Sequence, residues 1–381
     1  MFQNKIIIIG ANHHNTLGLV RSVGEIGIRP DVLVHGDSFN LLKSSKYVNK
    51  ISIVPIDNII NYLLSNYSDE SLKPILLCGE DETMSVIDKS ITVVEKYFYC
   101  FNALHQEGRI TSFMDKGEMQ RVAKICGLIC PQTFYVSRNS KLPSNLPFPC
   151  MIKPISSLDG TKAELKKCEN IHELLTKMSI GITYQLQEYI SKEYELNMVG
   201  CSLDHGNKIV APGIIRKIRE YPVRLGSSSF SVLESFESHK SISLDKIQGF
   251  IKAIGYEGLF SVEFLHSNGK DYFLEINMRN DGNGYVPTSA GVNLPAIWCN
   301  YVTGKPIKEN KAVLPHYFMR DSNDFRHILE GRITFRKWYE DYRRTNCFLL
   351  YKRGDALPFL SYWKGYVRAA FIVTIKKLLK K

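Results

Sequence analysis

The sequence predicts an α/β protein: an open parallel sheet first, then a mixed α+β body, then a basic helical tail. Three observations carry this reading. Short continuous apolar runs, starting with Lys-Ile-Ile-Ile-Ile at 5–9, alternate with helical spacing through residues 1–105, as buried parallel strands do. Two later apolar runs flank Asn268-Gly269, which signals an antiparallel hairpin. The net charge of +11 is lopsided, because residues 332–381 hold 13 Lys/Arg against 3 Asp/Glu while 1–331 hold 36 against 35.

Taken in order, the strand at 5–9 leads through Gly10 into a helix carrying Leu17, Val20, Val23 and Ile26, which stops at Gly27. The connecting loop lacks GxGxxG, so a dinucleotide site is not expected. Asn12, Asn15 and Thr16 stand at the helix N-terminus, where they would hold an anionic substrate group; N-capping by Asn15 or Thr16 is the competing role. Strands at 31–35, 50–54 and 74–78 complete the parallel sheet, whose loops face ligand at the strand C-termini.

Asp115 reads as an N-cap, with Val122, Ala123, Ile125 and Cys126 on the buried face of its helix and Gly127 as the stop. Lys116 in the first turn opposes the helix dipole, which makes it a phosphate-ligand candidate. A strand then ends in Lys153, and a loop with Ser156, Ser157 and Gly160 follows. Small residues let backbone N–H groups approach phosphate, although the lysine precedes the loop and this is no GxxxxGK[ST] motif. The strand at 184–190 carries Glu188, Tyr189 and Ile190, and Glu195 lies seven residues beyond Glu188. Arg216, Lys217, Arg219, Arg224 and Arg279 are candidates for gripping phosphate or carboxylate, with surface ion pairing as the alternative for each.

The hairpin places Glu263 in its first run and Glu275 and Asn277 in its second. Glu275 and Asn277 share a face by the period of two. A two-residue Asn268-Gly269 turn would set Glu263 opposite Leu274; a three-residue loop or a bulge sets it opposite Glu275, and that is the expectation. Three oxygen ligands on one face, with Arg279 two residues on, suit Mg²⁺ holding a polyphosphate. A lone pair of acids would fit an ordinary solvated hairpin; the surrounding set is what favours a site.

Composition narrows the classes further. Nine scattered cysteines read as reduced thiols, and Cys126 and Cys130 lack the second pair of a zinc site. There is no HExxH, no signal-peptide pattern and no apolar stretch of membrane-span length, so a cytoplasmic location is expected. The neutral body argues against a nucleic-acid surface. Residues 364–381 form a basic amphipathic helix, with Lys376, Lys377, Lys380 and Lys381 opposite Val367, Phe371, Ile375 and Leu378. It would lie on an anionic membrane or pack on the body, and both readings stand.

In order, Asp115-Lys116, Ile152-Lys153-Pro154, Gln187-Glu188-Tyr189-Ile190 with Glu195, Val262-Glu263-Phe264 and Glu275-Ile276-Asn277-Met278-Arg279 resemble the ATP-grasp superfamily over residues 1–303. Asn15–Gly24 and Asn277–Gly282 are most similar to the carboxylate–amine ligases near D-aspartate ligase. The resemblance implies a pre-ATP-grasp domain over 1–105, the first ATP-grasp lobe over 106–186, the second with the metal site over 187–304, and a basic extension over 305–381. It implies Lys116 and Lys153 on the ATP phosphates under a loop with Ser156, Ser157 and Gly160. Glu188, Tyr189 and Ile190 would read adenine, and Glu195 would hold the ribose. Glu263, Glu275 and Asn277 would carry Mg²⁺ (two ions, with Mn²⁺ as a substitute). Arg279, Lys153 and Arg216 are the catalytic candidates, and Asn12, Asn15, Thr16, Arg219 and Asp281 the substrate candidates. Two departures are a loop poorer in glycine after Lys153, and Met278 where the family often has Pro.

The implied reaction joins a small carboxylate to an amine through an acyl phosphate, with homodimers common in the superfamily. A membrane-bound tail would point to an envelope or glycan precursor handled at the inner face of the membrane. The alternatives are a relative that phosphorylates a carboxylate or carbamate, and a membrane-associated nucleotide-binding protein without turnover.

Overall fold

The computed structural model describes every residue except 1, 37–39, 155–165, 224–225, 309 and 366–381. Strands β1 (Ile6–Gly10), β2 (Asp31–Val34), β3 (Lys50–Ile53) and β4 (Ile75–Cys78) pair in parallel in the order β3-β2-β1-β4. Every position of β1, β2 and β4 is buried, which accounts for their unbroken apolar runs. Asp31 is the charged exception, held by the Asn49 amide and the Tyr67 hydroxyl. Helix α1 (His14–Gly24) follows β1 and buries Leu17, Val20 and Val23.

A short β5 (Asn102–Ala103) comes next, then α2 (Lys116–Ile125), capped as expected by the Asp115 carboxylate, which accepts from the Gly117 and Glu118 amides at 2.9 Å. Its buried face is made by Met119, Gln120, Val122 and Ala123; Ile125, expected inside, is 71% exposed because the turn to Gly127 begins there. Strands β6 (Thr133–Ser137), β7 (Cys150–Pro154), β8 (Lys166–Cys168) and β9 (Thr183–Glu188) form an antiparallel sheet ordered β6-β9-β7-β8. This small sheet has its own core around Val136, Ile152, Leu174 and Leu186.

The third sheet contains β10 (Tyr194–Leu203), β11 (Lys208–Val210), β12 (Ile214–Tyr221), β13 (Ser227–Glu234), β14 (Tyr256–Ser267), β15 (Lys270–Asn277), β16 (His316–Met319) and β17 (Cys347–Phe348). Its order is β15-β14-β10-β12-β13-β16-β17, with β11 paired to β10 and β5 to β14. One apolar core runs through this sheet and the parallel one. The extension after residue 304 adds β16 and β17 to the central sheet, while the basic helix expected over 364–381 lies outside the described residues from 366 onward. Runs as short as these carry too little periodicity to stand out in a basic stretch. The chain after β17 returns to α1, where Arg21, fully buried, donates to the Asp355 carboxylate at 3.0 Å and to the Leu349 and Leu350 carbonyls. Among the described residues no helix is long and apolar enough to cross a membrane.

Candidate functional site

The hairpin settles the register that the sequence left open. Ser267 pairs with Lys270, so the turn is the two-residue Asn268-Gly269, with φ of 50° and 70°, the left-handed pair such a turn requires. Further along, Phe264 pairs with Phe273 while Glu263 pairs with Glu275, leaving Leu274 as the extra residue of a bulge. The bulge, not a longer loop, sets the two carboxylates face to face. Ser261 then pairs with Asn277, whose amide donates to Glu263 Oε1 and Ser261 Oγ at 3.4 Å.

These residues line a polar cleft of about 500 Å³ that also receives β10, β12 and the loops after β1 and β4. Burial first, and then the charges of Glu275 and Asp281, push the Glu263 carboxyl up to about 8. Asn197 of β10 pairs directly across from Glu263, and its side-chain oxygen is buried without a hydrogen-bond partner. Two facing carboxylates and two amides, one of them with an unanswered oxygen, make an oxygen-only ligand set. Among the described residues no three Asp, Glu, His or Cys side chains gather as a full metal cage. The set therefore fits Mg²⁺, which takes its remaining ligands from phosphate and water.

Cations surround this row. Lys116 reaches across from α2 to Glu275 Oε2 at 2.8 Å. Arg279 forks onto Asp81 through two bonds of 3.0 Å and donates to Asn277 Oδ1 at 3.1 Å. Lys217 of β12 contacts the Glu195 carboxylate, as does Lys192. Burial would raise the Glu195 pKa, but the two lysines prevail and hold it below the ordinary value.

The remaining expected residues divide into three groups. Glu188 ends β9 and accepts from the Gln132 amide at 3.1 Å, while the Tyr189 amide is bonded to the Pro149 carbonyl and Ile190 follows in the connector to β10. Lys153 sits on β7 opposite Gln185, whereas Ser156, Ser157, Gly160 and Arg224 lie outside the described residues. Arg216 and Arg219 do not reach the cleft. Strand alternation turns Arg216 away from Lys217 and onto Glu234, at 3.0 and 2.8 Å. The bulge at Arg219 sends it to Asp324 and Asp341 at 2.5–3.0 Å.

At the α1 N-terminus the expected cap is corrected: His13 caps the helix, its ring accepting from the Asn15 amide at 3.4 Å. Asn15 is consumed by the Gly79 and Asn280 carbonyls, Thr16 donates to the Ala11 carbonyl, and Asn12 accepts from the Leu42 amide. His13 and His14 are the residues of this loop that open onto the cleft beside Asn15. Burial, Arg320 and Arg279 lower His13 to about 4, and His14 is held well below the usual value by burial and its neighbours. Asp281 lines the cleft and accepts from Ser261 Oγ at 3.0 Å. His13, His14, Asp81 and Asn197 escaped the sequence reading, whereas Lys217 had been read as one of the basic candidates.

No family model matches the chain. It is similar to D-aspartate ligase of Enterococcus faecium, 21% identical over 317 residues that make up 76% of this chain and 74% of that one. In structure it is similar to N5-carboxyaminoimidazole synthetase from Staphylococcus aureus, with a TM-score of 0.65, 15% identity and 88% of each chain covered. It is also similar to the biotin carboxylase domain dimer of the 2-oxoglutarate carboxylase from Hydrogenobacter thermophilus, determined with MgADP, ADP and bicarbonate. That match has a TM-score of 0.58 and 14% identity, covering 83% of this chain and 74% of that one. The chain thus has the fold of these neighbours, and its sequence is similar to that of D-aspartate ligase over about three quarters of both chains.

Proposed function

We propose that the protein is an ADP-forming ligase that joins a carboxylate, an amino acid, to an amine through an acyl phosphate. The observation that carries this is the bulge-aligned row of Glu263, Glu275 and Asn277, which shares one cleft with Arg279 and Lys217 and is met by Lys116 through Glu275. A substrate carboxylate oxygen attacks the γ-phosphorus of ATP and the bond to ADP breaks. The amine nitrogen then attacks the acyl carbon, phosphate leaves, and an amide forms with loss of a proton.

Such transfer depends chiefly on positioning and charge stabilisation. Glu263, Glu275, Asn277 and Asn197 would hold Mg²⁺, with Mn²⁺ as a substitute; the bound cation neutralises polyphosphate charge. Lys116, Lys153 and Arg279 would contact the phosphates, and Glu188 and Glu195 would hold the nucleoside. His13 stays uncharged at neutral pH, so the α1 loop meets substrate through neutral imidazoles beside Arg279.

The protein is read as cytoplasmic and, like the biotin carboxylase neighbour, as a dimer. Lys376, Lys377, Lys380 and Lys381 support a peripheral contact with anionic membrane, where an envelope precursor would be the acceptor. A chain ending at Lys364 that still sediments with anionic vesicles removes that reading.

The test of the ligase is ADP release with Mg²⁺-ATP across D- and L-amino acids paired with amine acceptors, beside Glu275→Ala. One acid–amine pair should stimulate turnover, and the variant should lose at least about 100-fold. Full activity in the variant would overturn the proposal.

A further inference from the structure

A second cavity, of about 250 Å³, lies among α3 (Asp321–Leu329), α4 (Phe335–Arg344) and the segment after β17, and shares no lining residue with the cleft. Its wall is a continuous run of aromatic rings. Phe325 meets Trp338 at 5.6 Å, Trp338 meets Tyr342 at 5.1 Å, Tyr342 meets Phe348 at 4.8 Å, and Phe348 meets Tyr351 at 6.3 Å between centroids. One charged residue, Asp321, completes the lining.

Asp321 is only 8% exposed, and neither of its carboxylate oxygens has a hydrogen-bond partner. Burial raises its carboxyl to about 6, against the pull of neighbouring backbone N–H groups including those of Tyr351 and Leu350. Of the cations that feel its charge, Arg21 is committed to Asp355, and the neighbouring Arg320 makes no ion pair with it. A buried acid in this condition is costly unless a cation meets it.

We propose that this cavity binds an alkylated ammonium group, with Asp321 facing the charge and the aromatic faces receiving the methyl groups. Aromatic faces attract such cations through their quadrupoles, more strongly when water is excluded. A purely apolar guest would leave Asp321 unanswered, and an anion would be repelled by it. A bare metal ion would lack the oxygen ligands it needs. Two sources share the chemistry, a free amine metabolite and a choline-type lipid headgroup.

The test is a titration of the full-length protein with choline and with its uncharged isostere 3,3-dimethylbutan-1-ol, read by tryptophan fluorescence because Trp338 and Trp363 line the cavity. Choline should give a saturable change, and the isostere should bind at least tenfold more weakly. Asp321→Asn should weaken choline at least tenfold and leave the isostere unchanged. Trp338→Leu, read by calorimetry, should weaken choline too and serves if Asp321→Asn does not fold. Capture on phosphatidylcholine vesicles that choline reverses would identify the source as lipid; absence of capture beside choline binding would identify a free amine. Equal binding of choline and isostere, or no saturable choline signal, overturns the proposal.

Discussion

Arg21→Ala would detach the C-terminal segment from the parallel sheet. Arg21 is 0% exposed in α1 and donates to Asp355 Oδ2 at 3.0 Å, the Leu349 carbonyl at 3.1 Å, and the Leu350 and Asp355 carbonyls at 2.8 and 3.1 Å. Truncation leaves the Asp355 carboxylate with Ser45 Oγ and the Lys46 amide as its remaining donors, at 2.9–3.1 Å. It also strips the Leu349 and Leu350 carbonyls of a buried donor. Removing one partner of a buried pair costs about 3–5 kcal/mol. With a urea slope of roughly 3 kcal/mol/M for a chain of this size, the midpoint should fall by about 1–1.7 M. Tryptophan fluorescence is the probe, since Trp338 and Trp363 lie beyond or beside the clamped segment. Arg21→Met with Asp355→Leu should recover most of the loss, because no charge is then left buried. A drop under about 1 kcal/mol for Arg21→Ala, or a double variant as weak as the sum of the two singles, would refute the reasoning.

Three further outcomes follow from the cleft and its borders. Glu263 titrates near 8 in the folded protein, above its ordinary 4.5, so its stabilising contribution is complete below 4.5 and is lost as pH rises through about 8. Divalent cations bind the ionised form, so Mn²⁺ affinity followed by magnetic resonance should climb up to about tenfold per pH unit below 8 and then level off; Glu275→Gln should shift that rise to lower pH, and a flat profile would contradict both. Lys116→Met should weaken nucleotide binding about tenfold in calorimetry while leaving the unfolding midpoint nearly unchanged, since its ion pair with Glu275 is half exposed. Arg219→Met should do the reverse, lowering stability by about 3 kcal/mol through Asp324 and Asp341, which are 0% exposed, with KM for ATP unchanged; a raised KM would return Arg219 to the site.

What the sequence made legible was local. The parallel strands announced themselves because burial on both faces leaves almost no polar positions, and the Asp115 cap because the N–H donors it accepts from lie two and three residues on. The Glu263–Glu275 pairing was reduced to two geometries, and Leu274 decided between them. Facing across the chain was not legible. Asp81, which accepts the fork of Arg279, is 198 residues away, and the partners of Arg219 are 105 and 122 residues away. A cluster such as Arg216, Lys217 and Arg219 therefore counts charge without assigning direction, and only Lys217 turned to the cleft. The same limit explains the basic C-terminal region. Asp341 alone gathers Arg219, Lys337 and Arg344 at 2.5–3.2 Å, so part of the excess read from 332–381 is spent inside the fold. The charge with no acid of its own nearby in sequence is that of Lys364, Arg368, Lys376, Lys377, Lys380 and Lys381. The proposed membrane contact thus rests on that segment, and on none of the cations that the fold has already paired.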